Sequence, residues 1–285
     1  MADNEHGIFP IGGTENPNRS LDVIFVHGLG GDARTTWEDG DAFWPKWLSE
    51  DFPNIGIWTI GYGADRSRWV NDVMSMEDRG LNLLNHLSIK NIGEKPILFI
   101  AHSMGGLISK HLLEQGRNNS TEDYRRIVEN TVGVIFIATP HSGSGWADAL
   151  DALPLYRGNR VIDGLKKDEP ALRRLSNAFT ELVKAKSLKC LCFFETKEIR
   201  VKNKWFGWKG IQIVSENSAS GNFPKEKSPV GLDDDHLSIC RLKSRESQLY
   251  GNVAKFIRES LTENTLTKPA VSLDKSTTKP VETSD

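Results

Sequence analysis

The stretch Ile97-Leu98-Phe99-Ile100-Ala101-His102-Ser103-Met104-Gly105-Gly106 decides the fold. An apolar run fit for a buried strand stops at a serine, and two glycines then open a helical pattern. In it Met104, Leu107, Ile108 and His111 share one face, with Gly116 read as the stop. A strand that becomes a helix across one serine has the pattern of a nucleophile elbow, whose tight turn lifts the hydroxyl above the sheet. The residues two before and two after the serine must be small, because backbone crowds that turn. Ala101 and Gly105 meet the requirement, although glycine is the commoner residue at the first place.

Working outward, the same grammar repeats. Leu21 to Val26 is a strand-length apolar run broken only by Asp22, and it leads into His27-Gly28-Leu29-Gly30-Gly31. Trp44, Trp47 and Leu48 fall at helical spacing around Pro45, and Ile55 to Ile60 is a further strand. Asp72 to Lys90 and the segment from Thr121 read as helices, with Thr131 to Ala138 a β-branched strand between the second of these and Thr139-Pro140-His141. For about 45 residues after that the signals are helical, with Leu172, Leu175, Phe179, Leu182 and Val183 behind Asp168-Glu169-Pro170. Leu188 to Phe194 resumes the strands, Gly210 to Val214 reads as the last one, and Gln248 to Leu261 as the final helix. Strands alternating with helices predict an α/β fold with a mainly parallel sheet of about six strands, covered by helices on both faces.

Three segments follow. Residues 1–20 read as a flexible lead-in, 21–261 as one α/β domain with a helical cap inserted at 143–187, and 262–285, built of Thr, Lys, Pro, Ser and Glu, as a disordered tail. A net charge of -2 with 26% charged residues argues against a nucleic-acid binder. The three cysteines are an odd number, and Cys190 and Cys192 share one strand face, so a reducing, cytoplasmic location is expected. The first residues lack the pattern of a signal peptide, and no apolar run has the ~20 residues of a membrane span.

Taken together, Val26-His27-Gly28-Leu29-Gly30-Gly31-Asp32 with Thr36-Trp37, then Ala101-His102-Ser103-Met104-Gly105-Gly106, then Ala138-Thr139-Pro140-His141, resemble the α/β-hydrolase superfamily. Within it they look like the lipase-like serine esterases of the serine-active-site-containing and GPI inositol-deacylase-like group. The resemblance covers roughly 21–261 and implies a serine esterase that forms an acyl-enzyme and needs no metal or organic cofactor.

That resemblance assigns roles. Ser103 would be the nucleophile, and its partners follow along the chain in the order acid, then histidine. Of the seven histidines His236 alone lies late enough to be the base. The acid is expected at Glu195, just past the Leu188 to Phe194 strand, with Asp148 and Asp234 as alternatives. A salt bridge to Lys197 would be a purely structural use of Glu195. The oxyanion hole would use the backbone N–H of Met104 and, from the glycine loop, of Leu29. His102 and His141 are expected to line the site, and His27 to hold the glycine turn. The cap, with Trp146 and nearby leucines, would roof an apolar acyl pocket.

Other readings compete. Gly28-Leu29-Gly30-Gly31-Asp32-Ala33 fits a dinucleotide fingerprint, but the next strand ends Ile60-Gly61-Tyr62-Gly63, without the acid a ribose needs. The Asp233-Asp234-Asp235 run beside His236 could hold a hard cation. A hydrolase-fold binding module and an acyltransferase remain alternatives to an esterase acting on small-molecule or lipid esters. From Lys184 to Lys209 eight Lys/Arg stand against two Glu, interleaved with Trp205, Phe206 and Trp208. The plain reading is a solvated hairpin whose tryptophans pack on the core; the functional one is peripheral membrane contact through 197–209.

Overall fold

A computed structural model of the chain describes residues 6–63, 74–141, 145–153, 162, 169–203, 207–221, 223 and 228–267. The strands are β1 (Gly7–Gly12), β2 (Leu21–Val26), the short pair β3 (Glu38–Asp39) and β4 (Ala42–Phe43), β5 (Ile55–Gly61), β6 (Ile97–His102), β7 (Thr131–Ile137), β8 (Lys189–Glu195), β9 (Ile199–Asn203), β10 (Gly207–Ile211) and β11 (Val230–Leu232). The helices are α1 (Trp44–Asp51), α2 (Met76–Ile89), α3 (Met104–Arg117), α4 (Glu122–Glu129), α5 (Trp146–Ala152), α6 (Glu169–Lys186), α7 (Glu216–Ala219) and α8 (Gln248–Thr267).

The apolar runs form the centre of a seven-stranded sheet of order β1-β5-β2-β6-β7-β8-β11, parallel except for β1. Every residue of β2, β5 and β6 is buried, as expected of parallel strands covered on both faces. From β2 the chain moves to β5 on one side and returns to β6 on the other. The order therefore reverses at β2 and β6, and the crevice beyond the carboxyl ends of such a pair is where open α/β sheets bind ligands. The glycine loop leaves β2 there, and Ser103 follows β6.

One polar residue inside β2 has a structural use. Asp22 is fully buried, paired with Arg19 Nε at 2.7 Å and accepting Trp58 Nε1–H at 2.8 Å, so the charge that interrupts the apolar run is satisfied. Phe25, Trp37 and Trp44 pack edge to face at 4.7–5.9 Å. Trp44 Nε1–H also donates to the Cys240 carbonyl at 2.9 Å, which ties α1 to the loop carrying His236.

Several expectations need correction. The lead-in at 1–20 contains β1, an antiparallel edge strand; Pro10 and the irregular register between Pro10 and Gly12 hide its pattern, as edge positions allow. β1 and β11, neither of them read as a strand from the sequence, bring the sheet to seven strands. The strand read at Gly210 to Val214 is instead the end of the separate β9–β10 hairpin, and the last sheet strand is β11, three residues long and too short to show periodicity. Gly116 does not stop α3 but lies inside it, where a Cβ would come within 2.6 Å of Val128 on α4. The final helix runs to Thr267, past the boundary set at 262; residues 268–285 lie outside the described part, as do Asp72, Val73, Asp168 and much of the 143–187 cap. No helix among the described residues is long and apolar enough to cross a membrane.

Three buried histidines sit at the carboxyl ends of the strands. The His27 ring stacks on Tyr62 at 4.1 Å and its Nδ1–H donates to the Gly28 carbonyl at 2.9 Å. Burial brings its pKa down to about 4, and burial also pushes His102 and His141 well below the usual histidine range. Their folded-state pKa values lie below the unfolded value of 6.5, so the unfolded chain takes up protons first as pH falls. Stability present above pH ~6.5 is then lost towards pH ~4, by about 3 kcal/mol from His27 alone. Thermal melts between pH 7.5 and 5 should show a falling Tm, with a shallower fall in His141→Leu; equal slopes would contradict the neutral, buried state of that ring.

Candidate active site

Ser103 stands between β6 and α3 with φ 51° and ψ -124°, a conformation that costs a non-glycine residue ~1–3 kcal/mol. Its surroundings hold it there. Ser103 N–H donates to the Ile137 carbonyl at 2.8 Å, and its own carbonyl accepts from Gly106 N–H at 3.0 Å and Thr139 Oγ1 at 3.2 Å. A Cβ at Gly105 would lie 2.3 Å from the His27 carbonyl oxygen and 2.5 Å from that of Val26, so only glycine lets α3 begin this close to β2. Ala101 is fully buried opposite Val26 and Phe136, and its methyl leaves the elbow formed.

His236 reaches the serine from the loop after β11. Asp235 shapes that loop by accepting the N–H groups of Leu237 (2.9 Å) and Ser238 (3.0 Å), and Lys197 pairs with Asp233 rather than with Glu195. His236 Nε2 lies 2.9 Å from Ser103 Oγ, and both residues are buried. On the other side of the ring, Nδ1 is 3.3 Å from Glu195 Oε1, within ion-pair distance though outside hydrogen-bond geometry.

Glu195 is fully buried at the end of β8. Its Oε1 also accepts the backbone N–H groups of Ile213 at 2.9 Å and Val214 at 2.6 Å, while Gln212 Nε2–H donates to its carbonyl at 2.7 Å. Two backbone donors on one oxygen fix the direction of the carboxylate. Asp148 is exposed on α5 and Asp234 is half-buried. Of the three acids considered from sequence, Glu195 is the one brought within ion-pair reach of the His236 ring.

The glycine loop closes over the serine from β2. Gly31 N–H donates to the Gly28 carbonyl at 3.2 Å, and Asp32 accepts the N–H groups of Arg34 and Thr35 at 2.7 Å each, which stiffens the turn. A Cβ at Gly28 would come within 2.9 Å of Ser103 Cβ, so the loop backbone lies directly against the elbow. Leu29, buried in this loop, and Ser103 border a cavity of about 50 Å³ that also meets His236, Leu150, Leu237 and Arg241. Met104 is the first residue of α3, whose amino end faces the same crevice. Where a dinucleotide site would need an acid after β5, Tyr62 stacks on His27.

His141 packs edge to face against Phe136 and Phe223, with Nε2 3.7 Å from Cys192 Sγ. The basic segment does form a hairpin, but Trp208 is 69% exposed and does not pack on the core; Trp205 and Phe206 lie outside the described residues. Sequence reading missed Ile213, Val214 and the Trp44–Cys240 tie. The first two act through main-chain N–H groups, which any residue but proline supplies, so no side-chain signal exists for them.

Residues 18–151 match the family described as "Putative serine esterase (DUF676)". The chain is 30% identical over 266 residues to Protein SERAC1 of Homo sapiens, covering 85% of this chain, and 31% identical over 265 residues to Protein SERAC1 of Danio rerio, covering 84%. It spans 39% of the length of each of these relatives. Among solved structures, the mature lipase BlEst2 of Bacillus licheniformis superposes with a TM-score of 0.51 at 18% identity, covering 92% of this chain and 99% of that one. A carboxylesterase structure from Nitrososphaera gargenis gives 0.52 at 13% identity, covering 90% and 95%. The switch-point crevice, the strained serine between strand and helix and these matches together show an α/β-hydrolase fold, in a chain similar over residues 18–151 to putative serine esterases.

Proposed function

We propose that this chain hydrolyses carboxylic esters through Ser103, His236 and Glu195. The observation that carries the reading is the 2.9 Å contact of His236 Nε2 with the hydroxyl of a serine held at positive φ. Ser103 Oγ attacks the acyl carbon while His236 Nε2 takes its proton, and Glu195 holds the ring so that Nδ1–H faces a negative charge. The N–H groups of Leu29 and Met104 receive the developing oxyanion; one such donor is typically worth ~3 kcal/mol of barrier. The proton then passes to the leaving alcohol, and water releases the acyl group by the same route in reverse. Leu150 and Leu237 at the cavity suit an apolar acyl group.

Fluorophosphonate labelling with a p-nitrophenyl ester assay tests this reading. Wild type should label and turn over, and Ser103→Ala should lose both, by roughly 10⁴-fold or more. Glu195→Gln keeps an oxygen for Ile213 and Val214 and should lower kcat about 10³-fold, whereas Asp148→Ala should stay within about twofold of wild type. A folded wild type that fails to label would leave a binding module on a hydrolase scaffold as the better account.

The β9–β10 hairpin is the proposed point of contact with an anionic membrane. Trp208 is 69% exposed, unusual for so large an apolar side chain, and it stands beside the exposed Arg200 and Lys209 in a segment of net +6. In co-sedimentation, vesicles containing anionic phospholipid should pull down wild type several-fold better than Trp208→Ala, and neutral vesicles should retain neither. Equal pelleting of the two proteins would remove the hairpin from the membrane.

A further inference from the structure

His102, the residue before the serine, does something the triad does not account for. It is 8% exposed, and its Nε2–H donates to the backbone carbonyl of His236 at 3.1 Å. The two rings lie 5.1 Å apart, tilted by 43°. Consecutive residues of the elbow thus grip the same histidine at different places: Ser103 meets the imidazole at Nε2, and His102 meets the main chain that carries it.

This matters because the His236 loop has little regular structure of its own. It follows the three-residue β11 and is held by Lys197, whose N–H donates to the Asp234 carbonyl at 3.0 Å and whose Nζ donates to that of Asp233 at 2.7 Å, by the turn at Asp235 and by Trp44 at Cys240. These ties lie on either side of His236, and none of them bonds its own backbone. A residue free to translate by an ångström carries its imidazole away from Ser103 Oγ, and proton transfer is sensitive to such a shift.

We infer that His102 is a positioning residue for the proton transfer, its ring serving as a strut of fixed length between the elbow and the His236 backbone. The inference rests on the esterase reading above. Burial keeps the His102 ring neutral, with the neighbouring His236 acting in the same direction. Neutrality suits a strut in this place, because a second cation so close would oppose the imidazolium that His236 must become during turnover.

Counting competent sites separates positioning from folding. Fluorophosphonate titration gives the fraction of molecules with a reactive serine, and kcat is then expressed per titrated site. His102→Leu removes the donor, His102→Asn carries one that falls short of the carbonyl, and His102→Gln carries an amide that can reach it. Leu and Asn should lower kcat per site about 10–100-fold with KM nearly unchanged, and Gln should recover most of the loss. If His102→Leu does not fold, the Asn and Gln pair alone decides. Wild-type rates per site in Asn and Leu, or a loss confined to the number of titrated sites, would overturn the strut while leaving the esterase reading intact. A wild type without a reactive serine would instead overturn the esterase reading.

Discussion

The close approach of α3 to the end of β2 is the constraint on which the site depends. Gly105 lets the helix start against the carbonyl groups of Val26 and His27, and that contact leaves Ser103 no extended or helical conformation to relax into. The strain is local, but the groups that maintain it come from two neighbouring parallel strands: the Ile137 carbonyl that ends β7, Thr139 just beyond it, and the end of β2. Loss of any one of these would let the serine turn away from the crevice. The chemistry is therefore a property of strand order, since only the reversal at β2 and β6 puts the glycine loop and the serine side by side.

The legible parts of the sequence are those where burial acts on both faces of a strand. β2, β5, β6 and β7 read as apolar runs because side chains on either side meet helices. β1 and β11 lie at the sheet edges, where proline, glycine and shortness are tolerated, and their patterns dissolve. The hairpin misled for a related reason: Gly210, Ile211, Ile213 and Val214 have strand-like composition, yet Ile213 and Val214 turn their N–H groups on Glu195 instead of on a neighbouring strand.

At the site, side-chain chemistry announced itself and main-chain chemistry did not. Ser103, Glu195 and His236 could be proposed because each stands just after a strand or in the last loop, in the order the superfamily resemblance implies. The amide donors on Glu195 and the carbonyl gripped by His102 carry no residue identity. His102 itself could be seen but not interpreted, because its partner is a backbone atom 134 residues away.

The bonds from Ile213 and Val214 close a loop on Glu195, returning 18 and 19 residues later to the carboxylate from which the chain departed. Between those points the chain makes an excursion through β9 and β10 that begins and ends at one atom. The excursion stays seated on the body, because Ile199, Val201 and Ile211 pack against the core, while Arg200, Trp208 and Lys209 face outward. One short segment thus joins the innermost carboxylate to one of the most exposed aromatic side chains of the described surface.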